Sequence, residues 1–455
     1  MNVDRETLAG VPAAHDALVL ALEGERHRHV SGQEAEPAIE QRFAAHASAA
    51  HRAVAAALRE AGDATLAAQV AALRADRAQA GAEERWRAAE ARAAGDGPDG
   101  HAPLPALELA ALRERDRGRR LAFARAAALA LAQASAAREE AVESRARGRA
   151  EVGLAPEWPA VVEGDGVLAA TDDAWHDVLA FACRRDLGLS PAPEGDLVRA
   201  DLLHLLALPR WDGHFRPGML PVAIRHTLEP LGLGATGEVR VDDAGRPAQW
   251  PGAHATGDRV SFRARGGAGD WQDLFAALGR AHAAAARAPR LRDPLAGEAL
   301  AWLLGSIALE PRWLADRADV ERGRSRDAVR DLALRRLFAL RADAAALRVA
   351  AEVERGLSGA AWRAAHREAL RAATSAEWDA ERACRDGDAA ALARRVLGAA
   401  AGEALLREVR EGLDEDWWRN PRTGPWLAAW LHEARVRDPS KGSAADAART
   451  LAAAF

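Results

Sequence analysis

From about Glu40 to Ala93, apolar residues return every three or four positions with Arg and Glu between them. That is the spacing of one buried helix face. Gly95-Asp96-Gly97-Pro98-Asp99-Gly100 interrupts it and predicts a loop. A second long helix is predicted from about Leu104 to Arg149. Two long antiparallel helices joined by a short loop make a helical hairpin, so residues 1–150 are predicted as an N-terminal helical lobe. A coiled coil is the alternative, but no sustained heptad with apolar a and d positions occurs.

Around Pro156 to Pro159 the pattern changes, and residues 151–455 are predicted as a second lobe. Residues 167–232 alternate short helical stretches with prolines at 191, 193, 209, 217, 221 and 230. Period-two alternation then marks the one convincing strand region, at about 237–265. One arm is Gly237 to Asp242, a turn follows at Asp243 to Pro247, and the other arm is Asp258 to Ala264. Gly266-Gly267-Ala268-Gly269 closes the strands, and from Asp270 to Phe455 the pattern is helical again, with breaks near 290–296, 355–359 and 419–425. The fold class is therefore mainly α with a small β-sheet.

Composition narrows the chemistry. The 455 residues carry a net charge of −5 with both signs interspersed, so no basic field for nucleic acid is expected. No 18-residue run is free of charge and apolar, which argues against a membrane span. Lysine occurs once, at Lys441, and tyrosine not at all. Phosphate-cradle and Schiff-base chemistry thus have little support. Cys183 and Cys384 form no CxxC pair, and the N-terminus has no basic segment followed by an apolar one. A cytoplasmic location is the expectation.

Strand, glycine turn and helix direct attention to the helix that begins at Asp270. A zinc peptidase of the gluzincin kind places His-Glu-x-x-His on one helix face, with a third ligand, a Glu, on the next helix. The segments VDDAGRP, PGAHATGDRVSFRARGGAGDW, DLFAALGRAH and AGEALAWLLGSIALEPRWL, between residues 238 and 313, follow one another as such a region does. This region resembles the active-site region of the oligoendopeptidase and thimet oligopeptidase metallopeptidases, with Gly266, Gly267, Asp270, Leu274, Phe275, Gly279 and Ala281 in family-like positions. The resemblance implies a zincin-like fold of two helical lobes around a central cleft. It also implies a zinc cofactor, yet the positions for the first His, the catalytic Glu and the second His hold Ala276, Ala277 and Arg280. Glu298 occupies the downstream glutamate position. A family-like tyrosine oxyanion donor is excluded by composition, and Gly252-Ala253-His254-Ala255 stands where the family has Gly-Ala-Tyr/Phe-Cys.

A guanidinium has no lone pair to offer a metal. No zinc and no other cofactor is therefore expected, and Arg280 is expected to pair with Glu298 in the metal's place. His282 lies about 200° around the helix from Arg280 and cannot replace the lost ligand. His254 is a candidate to approach the site from the strand side. Trp417, Trp418 and Trp426 are candidates to line the cleft, with burial in the core as the alternative. The run Glu321 to Arg336, with interleaved acids, is predicted as a solvated helix face. These readings point to a catalytically inactive, peptidase-like protein that binds a peptide or protein partner. The alternatives are a metallopeptidase with a rearranged metal site using Glu298 and His254, and a structural helical protein without a cleft.

Overall fold

The computed structural model describes residues 5–34, 36–154, 158–189, 197–233, 239–384, 388–433 and 442–455. Gly237, Glu238, Pro156, Pro191, Pro193 and Lys441 lie outside the described residues.

The N-terminal part is helical as the periodicity predicts, but more finely divided. Helices α1 (Arg5–Val30), α2 (Ile39–Ala45) and α3 (Arg52–Glu60) precede the long α4 (Ala64–Arg92). The expected continuous helix from Glu40 is broken because Asp63 caps a new one, its carboxylate accepting from Leu66 N. The expected loop at 95–100 is instead a β-hairpin of β1 (Ala94–Gly97) and β2 (Gly100–Pro103), its return made by Gly100 at φ +109°. The expected helix from Leu104 is α5 (Leu104–Arg113) and α6 (Arg117–Glu151), divided because Asp116 accepts from Arg119 N and starts α6 afresh. α4 and α6 run antiparallel, tied by Arg85–Glu140 at one level and Arg145–Asp76 at the next. Near the end of α6, Gly148 lies against Ala75 and Ala78, where an added Cβ would come within 2.8 Å.

In the remainder, α7 (Trp158–Leu187), α8 (Arg199–Leu206) and α9 (Leu220–Leu228) lead to the sheet. β3 (Arg240–Asp242), β4 (Gly252–Thr256) and β5 (Arg259–Arg263) form it in the order β3-β5-β4. The two arms read from the sequence do pair, but in parallel, with Val241 opposite Val260. Between them β4 is an extra strand, antiparallel to β5 through a turn at Gly257. Its sequence, GAHAT, is too poor in branched and aromatic residues to signal a strand.

Then follow α10 (Ala268–Ala285), α11 (Pro294–Ser306), α12 (Pro311–Ala318), α13 (Ser325–Glu354), α14 (Gly359–Thr374), α15 (Ala389–Leu413), α16 (Thr423–Glu433) and α17 (Ala444–Ala452). Entry into α10 is set by Gly266 and Gly267, both in the left-handed region at φ +88° and +85°. Gly266 N donates to Asp270 at 2.6 Å, and a Cβ on Gly267 would meet the Ala207 carbonyl at 2.9 Å. Beneath α10, Trp271, Phe275, Trp313 and Phe215 pack edge to face with ring centroids 5.3–5.8 Å apart. No helix among the described residues is long and apolar enough to cross a membrane.

Candidate functional site

α11 is held between two helices by glycines. On one side Gly279 of α10 lets the backbones touch, since a Cβ there would lie 2.8 Å from Ala301 N and Cα. On the other, Gly398 and Gly402 of α15 admit Glu298 and Trp302, whose Cβ atoms would each be 2.2 Å from a glycine's added Cβ. Glu298 and Trp302 are four residues apart and so share one face of α11.

Arg280 reaches across from α10. Its Nε donates to both Glu298 oxygens at 2.9 Å, and its Nη2 lies 2.8 Å from Oε2. Burial would raise the Glu298 carboxyl, but the charge and hydrogen bonds of Arg280, with Arg395 and Arg394 behind it, hold it below the usual carboxylate range. The Arg280 and Glu298 side chains are 34% and 16% exposed, so the pair is half-buried rather than sealed.

It borders a cavity of about 200 Å³ between α10, α11, α13 and α15. Ala276 lines this cavity with Arg280, whereas Ala277 is fully buried in the core. Two more ion pairs stand in the wall. Asp273 accepts from Arg335 at 2.7–2.8 Å and pairs with Arg265, and Arg395 grips Asp343 through two 2.8 Å bonds. Burial opposes ionisation of Asp273, but the charges of Arg335 and Arg265 keep its carboxyl far below the usual range. Trp302 donates its indole N–H to Glu403 at 3.1 Å, and Arg336 lies over its ring.

The other sequence candidates are dispersed. His254 is half-buried on β4, its Nε2 3.1 Å from the Pro251 carbonyl oxygen. Alternation along the strand gives the cavity wall to its neighbour Ala253. Trp417 and Trp418 are buried in the core with Trp271 and Trp313, and Trp426 packs against that core. The tryptophan on the cavity is Trp302. Nor is Glu321–Arg336 wholly a solvated face: Asp331 and Arg336 are buried, and Arg335 and Arg336 reach the cavity. A signal for this does exist. Leu332, Arg336 and Leu340 are spaced four apart, so Arg336 falls in the apolar stripe of α13.

His282, on the far side of α10, is buried and hydrogen-bonded to the Leu233 backbone, and burial lowers its pKa to about 4. Since the unfolded chain protonates near 6.5 while the fold keeps the ring neutral, stability is complete above that pH and falls as pH drops towards 4. Between about pH 7.5 and 5.5 this residue should remove about 1 kcal/mol. Burial lowers His15, His27, His29 and His204 in the same direction. Thermal unfolding over that range should therefore show destabilisation before the carboxylates titrate, and His282→Gln should flatten the slope. An unchanged slope in that variant would contradict the burial account.

The residues at the site do not suit zinc. Ala276 and Ala277 offer no donor atom, Arg280 is cationic without a lone pair, and both Glu298 oxygens are taken by it. Among the described residues, no three His, Cys, Asp or Glu side chains come together as metal ligands would.

No model of a known protein family matches the chain, and no curated protein sequence does. Solved structures do. PZ peptidase A, crystallised with an inhibitor, superposes with a TM-score of 0.54 at 12% identity, over 96% of this chain and 86% of its own. An oligoendopeptidase F of Bacillus anthracis gives 0.52 at 11% identity, over 98% and 84%. Metallocarboxypeptidase 1 of Trypanosoma cruzi gives 0.51 at 11% identity, over 99% and 96%. The chain is mainly helical with small sheets, and it shares its overall fold with these peptidase structures. At such identities the likeness is of architecture, and activity has to be argued from the site.

Proposed function

We propose that this chain is a metallopeptidase-fold protein that has lost zinc-dependent hydrolysis and uses the cleft to bind a peptide or protein segment. The observation that carries this reading is the double hydrogen bond from Arg280 Nε to Glu298 at the face of the cavity. The Glu that would be the third zinc ligand is occupied by a fixed cation, which joins α10 to α11 as a metal would. A general base for water is lacking too, because Ala277 stands in that position. Retention of a cavity beside the pair favours binding over a purely structural role.

Elemental analysis of the purified protein and a fluorogenic-peptide assay test this together. Zinc well below one equivalent, no chelator-sensitive hydrolysis and an unchanged melting temperature after chelation are expected. Stoichiometric zinc, lost along with hydrolysis on chelation, would overturn the reading.

A further inference from the structure

The cavity beside Arg280 is one of a row. Asp273, Arg335 and Ala339 also border a second cavity, of about 210 Å³, between α5, α8, α13 and the Gly266–Gly269 turn. Its apolar walls are Leu112, Leu203, Leu206 and Phe338. Leu112, Leu203 and Phe338 are only half-buried, so apolar surface on this cavity is still in contact with water. A third cavity, of about 160 Å³, adjoins the second across Leu112, Leu203 and Arg265 and reaches α6 at Ala124 and Ala127. The charges on the second cavity are already matched. Arg265 donates to Asp270 at 3.0 Å and pairs with Asp273, and Arg335 donates to Asp273 at 2.7–2.8 Å. Two cations face two carboxylates, so an ionic ligand group placed there would leave water without gaining a counter-charge.

We propose that this second cavity receives a large uncharged apolar side chain, such as phenylalanine or leucine, from the segment that occupies the cleft. The proposal rests on the preceding reading that the cleft binds a peptide segment, and adds what that segment must carry. An apolar cavity of about 150 Å³ accepts a benzene ring, so about 210 Å³ admits a phenyl or isobutyl group. Covering Leu112, Leu203 and Phe338 supplies the driving force. The direction of the segment comes from α10. Gly269, Asp273, Ala276 and Arg280 recur at helical spacing, so one face of this helix lines both cavities. At about 1.5 Å per residue that face runs for about 16 Å, the length of about five extended residues at about 3.3 Å each. An occupant lying along it beside Arg280 and Glu298 reaches the second cavity with a side chain, past the Asp273 ion pairs that form the common wall. Gly269 keeps that wall close to the helix, since a Cβ there would lie 2.7 Å from Arg335 Nε.

The test is equilibrium dialysis of the full chain, at neutral pH, against three pools of acetylated and amidated pentapeptides. The pools carry phenylalanine, alanine or glutamate at the centre, and only glycine, alanine and serine around it. The phenylalanine pool should be retained at least tenfold more than either of the others. Leu203→Trp fills the cavity from its half-buried wall and should bring the phenylalanine pool down to the alanine level. Ala207→Leu narrows the same cavity from the end of α8 and decides the matter where Leu203→Trp fails to fold. Equal retention of the phenylalanine and alanine pools, a preference for glutamate, or a phenylalanine preference untouched by the foldable variants would overturn this proposal and leave the segment-binding reading standing. Retention of none of the pools would overturn both.

Discussion

Gly402→Ala should cost about 3 kcal/mol or more, the upper range for forcing an extra methyl into a packed interior. The new Cβ would lie 2.2 Å from the Trp302 Cβ and 2.6 Å from its Cγ, so α15 and α11 must part. Trp302 cannot swing away cheaply, because its indole is fixed between the Glu403 carboxylate and the Arg336 guanidinium. Denaturant unfolding measures the loss, and Gly412→Ala is the control. That residue is on the same helix with nothing within 4 Å of an added Cβ. There the usual gain of Ala over Gly in a helix, up to about 1 kcal/mol, leaves stability equal or higher. Equal effects of the two substitutions would show that α15 and α11 are not in close contact.

Glu298→Ala ranks next. Removing one member of a fully buried ion pair costs about 3–5 kcal/mol and of an exposed one about 0–1, so this half-buried pair should lose about 2 kcal/mol. The loss is mainly the stranding of Arg280, whose neighbour Arg395 also repels it. Arg280→Leu combined with Glu298→Leu should therefore recover most of it, since an apolar pair of similar size needs no partner. Unfolding of the two single variants and the double variant forms a cycle. A strictly additive double variant would mean that the two side chains are not coupled, and the bridge between α10 and α11 would have to be abandoned.

The Arg280–Glu298 pair was legible before any coordinates because the resemblance to the oligoendopeptidase active-site region sets both residues at ligand positions, where a guanidinium and a carboxylate attract each other. Once Gly266-Gly267 and Asp270 mark where α10 begins, the positions of Ala276 and Arg280 on its face follow from 3.6 residues per turn. Glu298 was legible only through the resemblance, as the glutamate of the downstream helix. Trp417 and Trp418 were not placed by such arithmetic, for a large aromatic serves a core and a cleft equally well. Burial beside Trp313 shows which it is. Local chemistry that periodicity ignores explains the missed elements. Asp63 and Asp116 stop and restart helices by capping, and β4 is a strand only because β5 offers it hydrogen bonds.

By itself the sequence determined the helical character of both halves, the strand-turn-helix order around the glycine pair, and the presence of alanine and arginine, at 276 and 280, on one face of α10. Those are properties of one segment and its immediate neighbours. Only the tertiary structure decided that Arg336 is buried. Charges interleaved along α13 read as a wet surface, and whether a given arginine meets a carboxylate depends on α11 and α15, elements 30 to 70 residues away. Pairing of charges is a property of contacts between segments, and that is why the burial of Arg336 over Trp302, near Glu403, becomes visible only when the helices are brought together.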